Sequence, residues 1–199
     1  VPFGYIGGAA VDPIEKKPFY HFYPGEKAFS FGMLGCNFRC EFCQNWMTSQ
    51  ALKDSEAGHG IQSCTVEELL DAAQSHSCKI VSSTYNEPLI TSEWSIAIKK
   101  KKKKRGMNTT YVSNGFASPA VLAALAPWLD AINVDIKCFT DENYKSLGGR
   151  LQPVLDAIKA WHAQGKWLET TTLVVPNFND SRDELRDIAE FIAAVDTAI

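Results

Sequence analysis

The most distinctive chemistry of this chain lies in three cysteines that fall within eight residues. Cys36, Cys40 and Cys43 are spaced Cys-x3-Cys-x2-Cys and follow an apolar run at residues 28–34. Three thiolates on one short loop can bind three irons of a [4Fe-4S] cluster and leave the fourth iron without a protein ligand. An iron with an open position can bind and reduce another molecule, whereas a cluster held by four cysteines usually only carries electrons. The spacing therefore predicts a cluster that does chemistry at its open iron.

A zinc site is the alternative interpretation of the same loop, with a histidine such as His21 or His59 as the fourth ligand. Zinc prefers four ligands in a closed tetrahedron, and structural zinc sites usually take them from paired Cys-x2-Cys or Cys-x2-His segments. The lone three-cysteine spacing, with Phe42 directly before the third thiol, favours the cluster. Thiols crowded in this way are typical of a reducing compartment, so we expect the cytoplasm.

The remaining composition indicates a globular protein without membrane segments. The chain has 199 residues, of which 45% are hydrophobic, enough for one domain with a sizeable core. No apolar stretch approaches the roughly 20 residues that span a bilayer, and residues 1–5 have no signal-like pattern. The first residue is Val1 rather than Met, which predicts that the chain begins inside a longer protein. Cys64, Cys78 and Cys138 are scattered, and we expect them to be inert thiols.

The net charge of the chain is −3, but it contains a strongly basic run: Lys99 to Lys104 are six consecutive lysines. A nucleic-acid surface is one interpretation of such a run. A solvated helix face is another, but a helix that packs on a sheet needs an apolar stripe, and the apolar residues stop at Ile98. We do not expect nucleic-acid binding, and we assign the run no function.

Strand-like and helix-like segments alternate from residue 28 onward, so we divide the chain into a turn-rich N-terminal extension, 1–27, and a core domain, 28–199. The strands are predicted at 28–34, 79–84, 108–113, 131–136 and 167–175. The helices are predicted at 65–76, about 90–105, from 119, near 140–147, at 151–164 and from 182 to near the C-terminus. Such alternation indicates parallel strands with right-handed helical crossovers.

Polar residues cluster where these predicted strands end. Chemistry gathers at the carboxyl ends of parallel strands, in barrels and in open α/β sheets alike. Here those ends carry Cys36, Tyr85-Asn86-Glu87-Pro88, Ser113-Asn114-Gly115 and Asp135-Ile136-Lys137. We therefore expect a single site at one rim of the sheet.

Each of these groups also has a purely structural interpretation. Glu87 is either a helix-start carboxylate favoured by the helix dipole or a ligand for a cationic group. Asp135 and Lys137 lie on the same side of their strand and form either a rim salt bridge or a binding pair. A charged pair on an inner face is costly unless it binds something. Ser113 and Asn114 form either a turn or contacts to ribose hydroxyls.

Together these segments resemble the radical S-adenosylmethionine superfamily. Within it they resemble the AmmeMemoRadiSam-system enzymes, which are relatives of the pyruvate formate-lyase activating enzymes. The resemblance runs from about residue 10 to the C-terminus, interrupted by the lysine run and the loop near 50–62. The matching segments are Pro18-x-Tyr20-His21-Phe22, Gly35-Cys36-Asn37-Phe38-Arg39-Cys40, Phe42-Cys43-Gln44-Asn45, Thr84-Tyr85-Asn86-Glu87-Pro88, Ser113-Asn114-Gly115, Asn133-Val134-Asp135-Ile136-Lys137 and Thr171-Thr172-Leu173-Val174-Val175-Pro176.

The resemblance implies an α/β fold, a partial TIM-like (β/α)6 barrel, that binds a [4Fe-4S] cluster and S-adenosylmethionine. By comparison with that family, we expect the last strand of such a barrel to be lacking in this chain. Carried over by position, Cys36, Cys40 and Cys43 would bind the cluster, and Phe42 would lie near the adenine. Asn86 and Glu87 would lie by the ammonium, Ser113 and Asn114 by the ribose, and Asp135 and Lys137 by the methionine end. Tyr85 would be a further contact to the cosubstrate. Val112 and Ser113 stand where activating enzymes have Asp and Thr, which removes a carboxylate that would help to hold a cation.

The implied activity is reductive cleavage of S-adenosylmethionine to methionine and a 5′-deoxyadenosyl radical, which abstracts a hydrogen atom from a substrate. The implied partners are an electron donor such as flavodoxin or ferredoxin and a substrate that the sequence does not identify. A glycyl radical enzyme is one candidate, and another protein or a small molecule is equally open. An iron-sulfur electron carrier or scaffold and a zinc-binding module are the alternatives. Glu87, Asp135 and Lys137 favour the enzyme, because neither module needs a charged cosubstrate pocket.

Overall fold

A computed structural model describes residues 3–58, 60–102 and 105–199. Its strands are β1 (Tyr5–Ile6), β2 (Gly8–Pro13), β3 (Lys27–Gly32), β4 (Gln62–Ser63), β5 (Ile80–Ser83), β6 (Asn108–Ser113), β7 (Ala131–Asp135) and β8 (Trp167–Thr171). Its helices are α1 (Trp46–Ser49), α2 (Val66–Ser75), α3 (Ser92–Lys102), α4 (Pro119–Leu125), α5 (Asp141–Ser146), α6 (Leu151–Ala163) and α7 (Arg182–Val195). All the strands and helices that the sequence predicted are present, with shifted ends.

The fold is built on a six-stranded sheet in the order β2-β3-β5-β6-β7-β8. The strands from β3 to β8 in that order are parallel, as the alternation predicted. β2 is antiparallel to β3, with Gly8 opposite Gly32 and Pro13 opposite Lys27. The sequence did not reveal β2, because its Gly and Pro residues indicate turns, and Pro is tolerated on an edge strand. The domain division at residue 27 stays a prediction, although β2 belongs to the main sheet.

Strands β3 and β8 end sooner than predicted, because side chains take over the backbone hydrogen bonds beyond them. Met33 N–H donates to Asn86 Oδ1 at 2.9 Å. Val175 N–H donates to Asn179 Oδ1 at 2.7 Å. The segments after both strands therefore leave the sheet and form the rim of the cleft described below.

The helices begin at the capping residues that the sequence indicated. Thr65 and Glu68 form a capping box at the start of α2. Ser118 caps α4, which begins with Pro119, and Ser181 caps α7. These side chains satisfy N–H groups that have no partner within a helix. None of the helices in the described ranges is long and apolar enough to cross a membrane.

The inner face of the sheet is closed at the amino-terminal ends of its strands by residues 14–22, which we call the plug. Phe19 is fully buried and packs in one cluster with Ala28 of β3, Ile80 of β5 and Ala131 of β7. β3 and β7 have β5 and β6 between them in the sheet, so their common contact with one short segment shows that the sheet curls around the plug. The carboxyl-terminal ends of the strands stay open.

The described part of the lysine run packs on its own domain. It continues α3 as far as Lys102, and residues 103–104 lie outside the described ranges. Lys99 is 2% exposed, and its Nζ lies 3.6 Å from the centroid of the Tyr111 ring, a cation–π contact. Lys101 pairs with Glu67 of α2. These contacts hold the described lysines on a helix of the domain itself.

Candidate functional site

The carboxyl ends of β3, β5, β6 and β7 meet in one cleft, as the polar strand ends predicted. The cleft encloses about 560 Å³, counting the open space at its mouth. Its lining includes Cys36, Cys40, Cys43, Tyr85, Asn86, Glu87, Ser113, Asn114, Asp135 and Lys137. Phe42 lines a neighbouring cleft instead, where its ring centroid lies 5.3 Å from that of Phe178.

The cysteine loop is held by hydrogen bonds from both sides. Gln50 Nε2 donates to the Phe38 carbonyl at 3.1 Å, and Arg39 N–H donates to the Leu147 carbonyl at 2.8 Å. Phe38 is 1% exposed and lies against Gly149, where an added Cβ would overlap the phenyl ring. That close approach requires glycine. The loop is therefore fixed to α1 on one side and to the turn between α5 and α6 on the other.

The three thiols are partly buried, and none is in a disulfide. Burial raises the pKa of Cys36 to about 12, and the Glu87 carboxylate adds to this shift. Burial also raises the pKa of Cys40 to about 11, although Lys137 opposes the shift. Ligation removes these protons, because a cysteine binds metal as the thiolate.

The geometry gives little support to the zinc alternative. Among the residues that the structure describes, no three His, Cys, Asp or Glu side chains are arranged to hold one metal ion. His21 belongs to the plug and donates its backbone N–H to Glu169 of β8, at the opposite end of the inner face from the thiols. His59 lies outside the described residues. In a four-iron cluster each thiolate binds its own iron, so thiols that do not converge on one point fit a cluster better than a single ion.

Glu87 joins the ends of β5 and β6. It is 2% exposed, and its Oε1 accepts hydrogen bonds from Ser113 Oγ at 2.7 Å and Leu89 N–H at 2.9 Å. Its Oε2 accepts from Asn114 N–H at 2.7 Å. Burial raises the pKa of Glu87 to about 7, although these three donors oppose the shift. A carboxylate has about four acceptor positions, so one is left for a ligand.

Asn114 links the end of β6 to the cysteine loop. Its Nδ2 donates to Asn37 Oδ1 at 2.8 Å, and its Oδ1 accepts from Phe116 N–H at 2.9 Å. Asn37 Nδ2 in turn donates to the Phe116 carbonyl at 3.0 Å. This closed set of bonds fixes the Ser113-Asn114 turn beside the first cysteine.

Tyr85 has a backbone conformation that is rare for its type, with φ +71°, and such strain persists only where the surroundings impose it. Its hydroxyl accepts a hydrogen bond from Lys17 Nζ at 2.9 Å. Lys17 is 4% exposed and also donates to Asp12 Oδ2 at 3.1 Å. On the other side, a Cβ added at Gly32 would lie 2.8 Å from Tyr85 Cβ. Lys17 and Gly32 together therefore hold this turn in place.

Asp135 and Lys137 form an ion pair at the end of β7, as their spacing predicted. Burial lowers the pKa of Lys137, but the adjacent Asp135 carboxylate raises it more, so it lies above its ordinary value. The second oxygen of Asp135, Oδ1, is buried and has no hydrogen-bond partner among the described residues. Asn179 Nδ2 donates to the Lys137 carbonyl at 2.7 Å and fixes the backbone of the pair.

Sequence reasoning missed several residues that support the site, namely Lys17, Ser49, Gln50 and Asn179. Lys17 binds Tyr85 across 68 positions of sequence, and no local pattern signals a contact at that separation. Asn179 likewise reaches Lys137 across 42 positions. Ser49 and Gln50 follow the cysteine loop closely, so two polar residues at the end of a short helix could have indicated support for that loop.

Comparison with known proteins agrees with this arrangement. The sequence model of the Radical SAM superfamily matches residues 32–192. An uncharacterized protein of Methanocaldococcus jannaschii is 38% identical over 192 residues, which are 96% of this chain and 56% of that protein. The pyruvate formate-lyase-activating enzyme of Clostridium pasteurianum is 27% identical over 176 residues, which are 85% of this chain and 70% of that enzyme. The chain thus spans little more than half the length of the first relative.

Solved structures share the fold at low sequence identity. The crystal structure of Streptococcus suis SuiB bound to precursor peptide SuiA matches with a TM-score of 0.62 and 16% identity, over 92% of this chain and 39% of that one. At this identity the match supports the α/β architecture with its mostly parallel sheet.

Proposed function

Because this chain belongs to the Radical SAM superfamily, we propose that it cleaves S-adenosylmethionine and directs the resulting radical at a hydrogen atom of a substrate. A [4Fe-4S] cluster, when bound, would supply the electron for that cleavage. The chain itself binds, orients and shields these groups. The observation that carries the proposal is the cleft in which three free thiols lie with a partly buried charged pair.

Cys36, Cys40 and Cys43 would hold the cluster. All three line the cleft, and none is used in a disulfide. Thiolates are the ligands that iron-sulfur clusters take. Phe38 N–H donates to Cys36 Sγ at 3.4 Å, which favours the thiolate form that ligation needs.

Asp135 and Lys137 would bind the methionine end of S-adenosylmethionine. The Lys137 ammonium suits the carboxylate of that group, and the free Asp135 Oδ1 suits its ammonium. A buried acceptor without a partner costs about 1–3 kcal/mol. A cationic ligand at Asp135 Oδ1 removes that cost, so the site is prepared for one.

The other predicted contacts would complete the cosubstrate site. Glu87 offers its remaining acceptor position to the ammonium, and Tyr85 and Asn86 shape the turn that carries it. Ser113 and Asn114, which Glu87 holds in place, would lie by the ribose. We also retain Phe42 as an adenine contact, with its ring on the far side of the cysteine loop from the thiols.

A protein or peptide is the substrate class that the relatives favour. Two matched proteins are named as activating enzymes, for pyruvate formate-lyase and for isethionate sulfite-lyase, and the SuiB structure contains a precursor peptide. A glycyl radical enzyme is therefore our first candidate. The electron donor would be flavodoxin or ferredoxin, and the cytoplasm is the compartment that keeps such thiols reduced.

We further propose that the chain belongs to the AmmeMemoRadiSam branch of the superfamily. Two segments support this assignment, Phe42-Cys43-Gln44-Asn45 and Tyr85-Asn86-Glu87-Pro88. Both segments border the cleft, so the residues that resemble the branch lie at the candidate site.

The test is anaerobic reconstitution with iron and sulfide, followed by reduction and addition of S-adenosylmethionine, with 5′-deoxyadenosine measured by chromatography. We expect time-dependent product from the unmodified chain and none above background from Cys40→Ala. Cys64→Ala is the matched control, because Cys64 is a buried thiol beside α2 and away from the cleft. It should retain cleavage.

Two other outcomes would contradict the proposal. A reducible cluster without any cleavage would support an electron carrier or scaffold. Bound zinc, with no iron-sulfur absorbance after reconstitution, would support the zinc-binding module.

A further inference from the structure

Ser49 and Gln50 form a buried chain of hydrogen bonds that ends on the third cysteine. Ser49 Oγ lies 3.2 Å from Cys43 Sγ. Gln50 Nε2 lies 3.3 Å from Ser49 Oγ and 3.1 Å from the Phe38 carbonyl oxygen. Ser49 and Gln50 are 3% and 4% exposed, so bulk water has little access to compete for these bonds.

The direction of each bond follows from the types of atoms. A carbonyl oxygen only accepts, so the Gln50 atom facing Phe38 must be the amide nitrogen, which carries two protons. One proton goes to the Phe38 carbonyl, and the other goes to Ser49 Oγ. Ser49 Oγ therefore accepts from Gln50, and its own proton is free to point at Cys43 Sγ. The chain runs from Gln50 to Ser49 to Cys43 and ends with a donor aimed at sulfur.

Local backbone structure holds Ser49 in this position. Ser49 N–H donates to the Asn45 carbonyl at 2.8 Å, and Gln50 N–H donates to the Trp46 carbonyl at 2.9 Å. These bonds close the single turn of α1, which brings Ser49 back to the thiol six residues before it. The neighbouring Thr48 hydroxyl donates to the Asn45 carbonyl at 3.1 Å instead, so only one of the two adjacent hydroxyls reaches a cysteine.

We propose that Ser49 donates a hydrogen bond to the Cys43 thiolate and thereby raises the reduction potential of the cluster that this cysteine helps to hold. The inference rests on the proposed function, because it requires a cluster at Cys43. Hydrogen bonds to cysteine sulfur are among the factors that set iron-sulfur potentials. The added electron increases the negative charge on the thiolate ligands, and a bond to a more negative acceptor is stronger. Ser49 therefore stabilises the reduced cluster more than the oxidised one.

The test is a redox titration of the reconstituted protein, followed by electron paramagnetic resonance of the reduced cluster. We expect Ser49→Ala to lower the ratio of reduced to oxidised cluster about tenfold at a fixed potential, which is a midpoint about 59 mV more negative for one electron. Ser49→Thr retains a hydroxyl and should restore the original midpoint. Thr48→Ala removes the neighbouring hydroxyl and should leave the midpoint unchanged.

Gln50→Met provides a second, independent variant in case Ser49→Ala does not retain the cluster. This substitution leaves the Ser49 hydroxyl in place but removes the Gln50 donor that directs the hydroxyl proton toward Cys43. We therefore expect a smaller shift of the midpoint potential in the same, more negative direction. Iron and sulfide content is measured for every variant. Equal midpoints for Ser49→Ala, Gln50→Met and Thr48→Ala at equal iron content would overturn the inference and leave the proposed function intact. A wild-type protein that binds no cluster would overturn both.

Discussion

The two ends of the inner face use their carboxylates in different ways. At the closed end, Glu169 is 6% exposed and accepts hydrogen bonds from the N–H groups of Tyr20, His21 and Phe22 at 2.7, 3.2 and 3.1 Å. Trp167 Nε1 donates to the same carboxylate at 3.0 Å. At the open end, Asp135 shares one oxygen with Lys137 and has no partner for the other among the described residues.

This difference separates a structural end from an end that we propose to bind ligands. Burying a polar group is costly unless it is hydrogen-bonded, and at the plug the chain supplies the donors itself. At the cleft the chain itself supplies only some of the partners that Asp135 and the three thiols can bind. The same fold thus gains stability at one end and leaves binding capacity at the other, and substitutions at the two ends should have different kinds of effect.

The largest effect is expected from Glu169→Gln at the closed end. The amide keeps one acceptor but turns an NH2 group toward backbone N–H donors and loses the charge. We expect the free energy of unfolding to fall by about 4 kcal/mol, because several charge-assisted bonds are lost together. Urea denaturation measures this, with Glu190→Gln on the exposed face of α7 as the control, since its side chain is 71% exposed. Equal effects of the two substitutions would remove the distinction between a structural carboxylate and a surface one.

The next effect is a pH dependence of stability at the open end. The pKa of Glu87 is raised from 4.5 to about 7, chiefly by burial, so between these values the folded chain keeps a proton that the unfolded chain has lost. The free energy of unfolding should therefore fall as the pH rises from 4.5 to 7, by up to about 3 kcal/mol at 1.36 kcal/mol per pKa unit. Denaturation of the protein before cluster addition, at a series of pH values, measures the slope. Glu87→Gln should flatten it, and an unchanged slope in that variant would assign the dependence to another group.

Asp135→Asn should affect binding more than folding. It keeps the shape of the side chain but removes the charge that a cationic group would meet. We expect affinity for S-adenosylmethionine to fall about 10- to 100-fold, the value of one hydrogen bond to a charged group. The measurement is the cosubstrate dissociation constant of the reconstituted protein, compared with its unfolding midpoint. A large loss of stability with unchanged affinity would instead make Asp135 equivalent to Glu169, the carboxylate that binds the plug.

The smallest effect is expected at Lys17, which connects the two ends. Lys17→Met removes the donor to Tyr85 and should cost about 1 kcal/mol of stability, with a severalfold rise in KM for S-adenosylmethionine because the turn at Tyr85 is held less firmly. Lys16→Met is the matched control. Lys16 pairs with the same Asp12 at 3.0 Å, but its side chain is 69% exposed, so its loss should change neither quantity. A rise in KM for both variants would point to Asp12 rather than to the contact with Tyr85.

The fold was largely predictable, because its determinants are local. Alternating apolar segments, the Thr65 and Ser118 caps and the turn signals after each strand indicated the parallel strands and their order along the chain. β2 was missed, because its pairing with β3 depends on tertiary context and its Gly and Pro residues point to turns. The early end of β8 was missed for a similar reason, since it depends on Asn179.

The sequence by itself determined the chemistry of the candidate site. Cys36, Cys40 and Cys43 define the donor set by their type and spacing, and the polar strand ends had to meet at one rim because parallel strands share a direction. Tertiary structure alone decided which partners those groups have. It joined Lys17 to Tyr85, gave three donors to Glu87 and aimed Ser49 at Cys43 through Gln50. It also left one oxygen of Asp135 without a partner in the part of the chain that the structure describes. Hydrogen bonds between distant or differently oriented segments depend on distances of a few tenths of an ångström, and these are fixed only when the whole chain has packed.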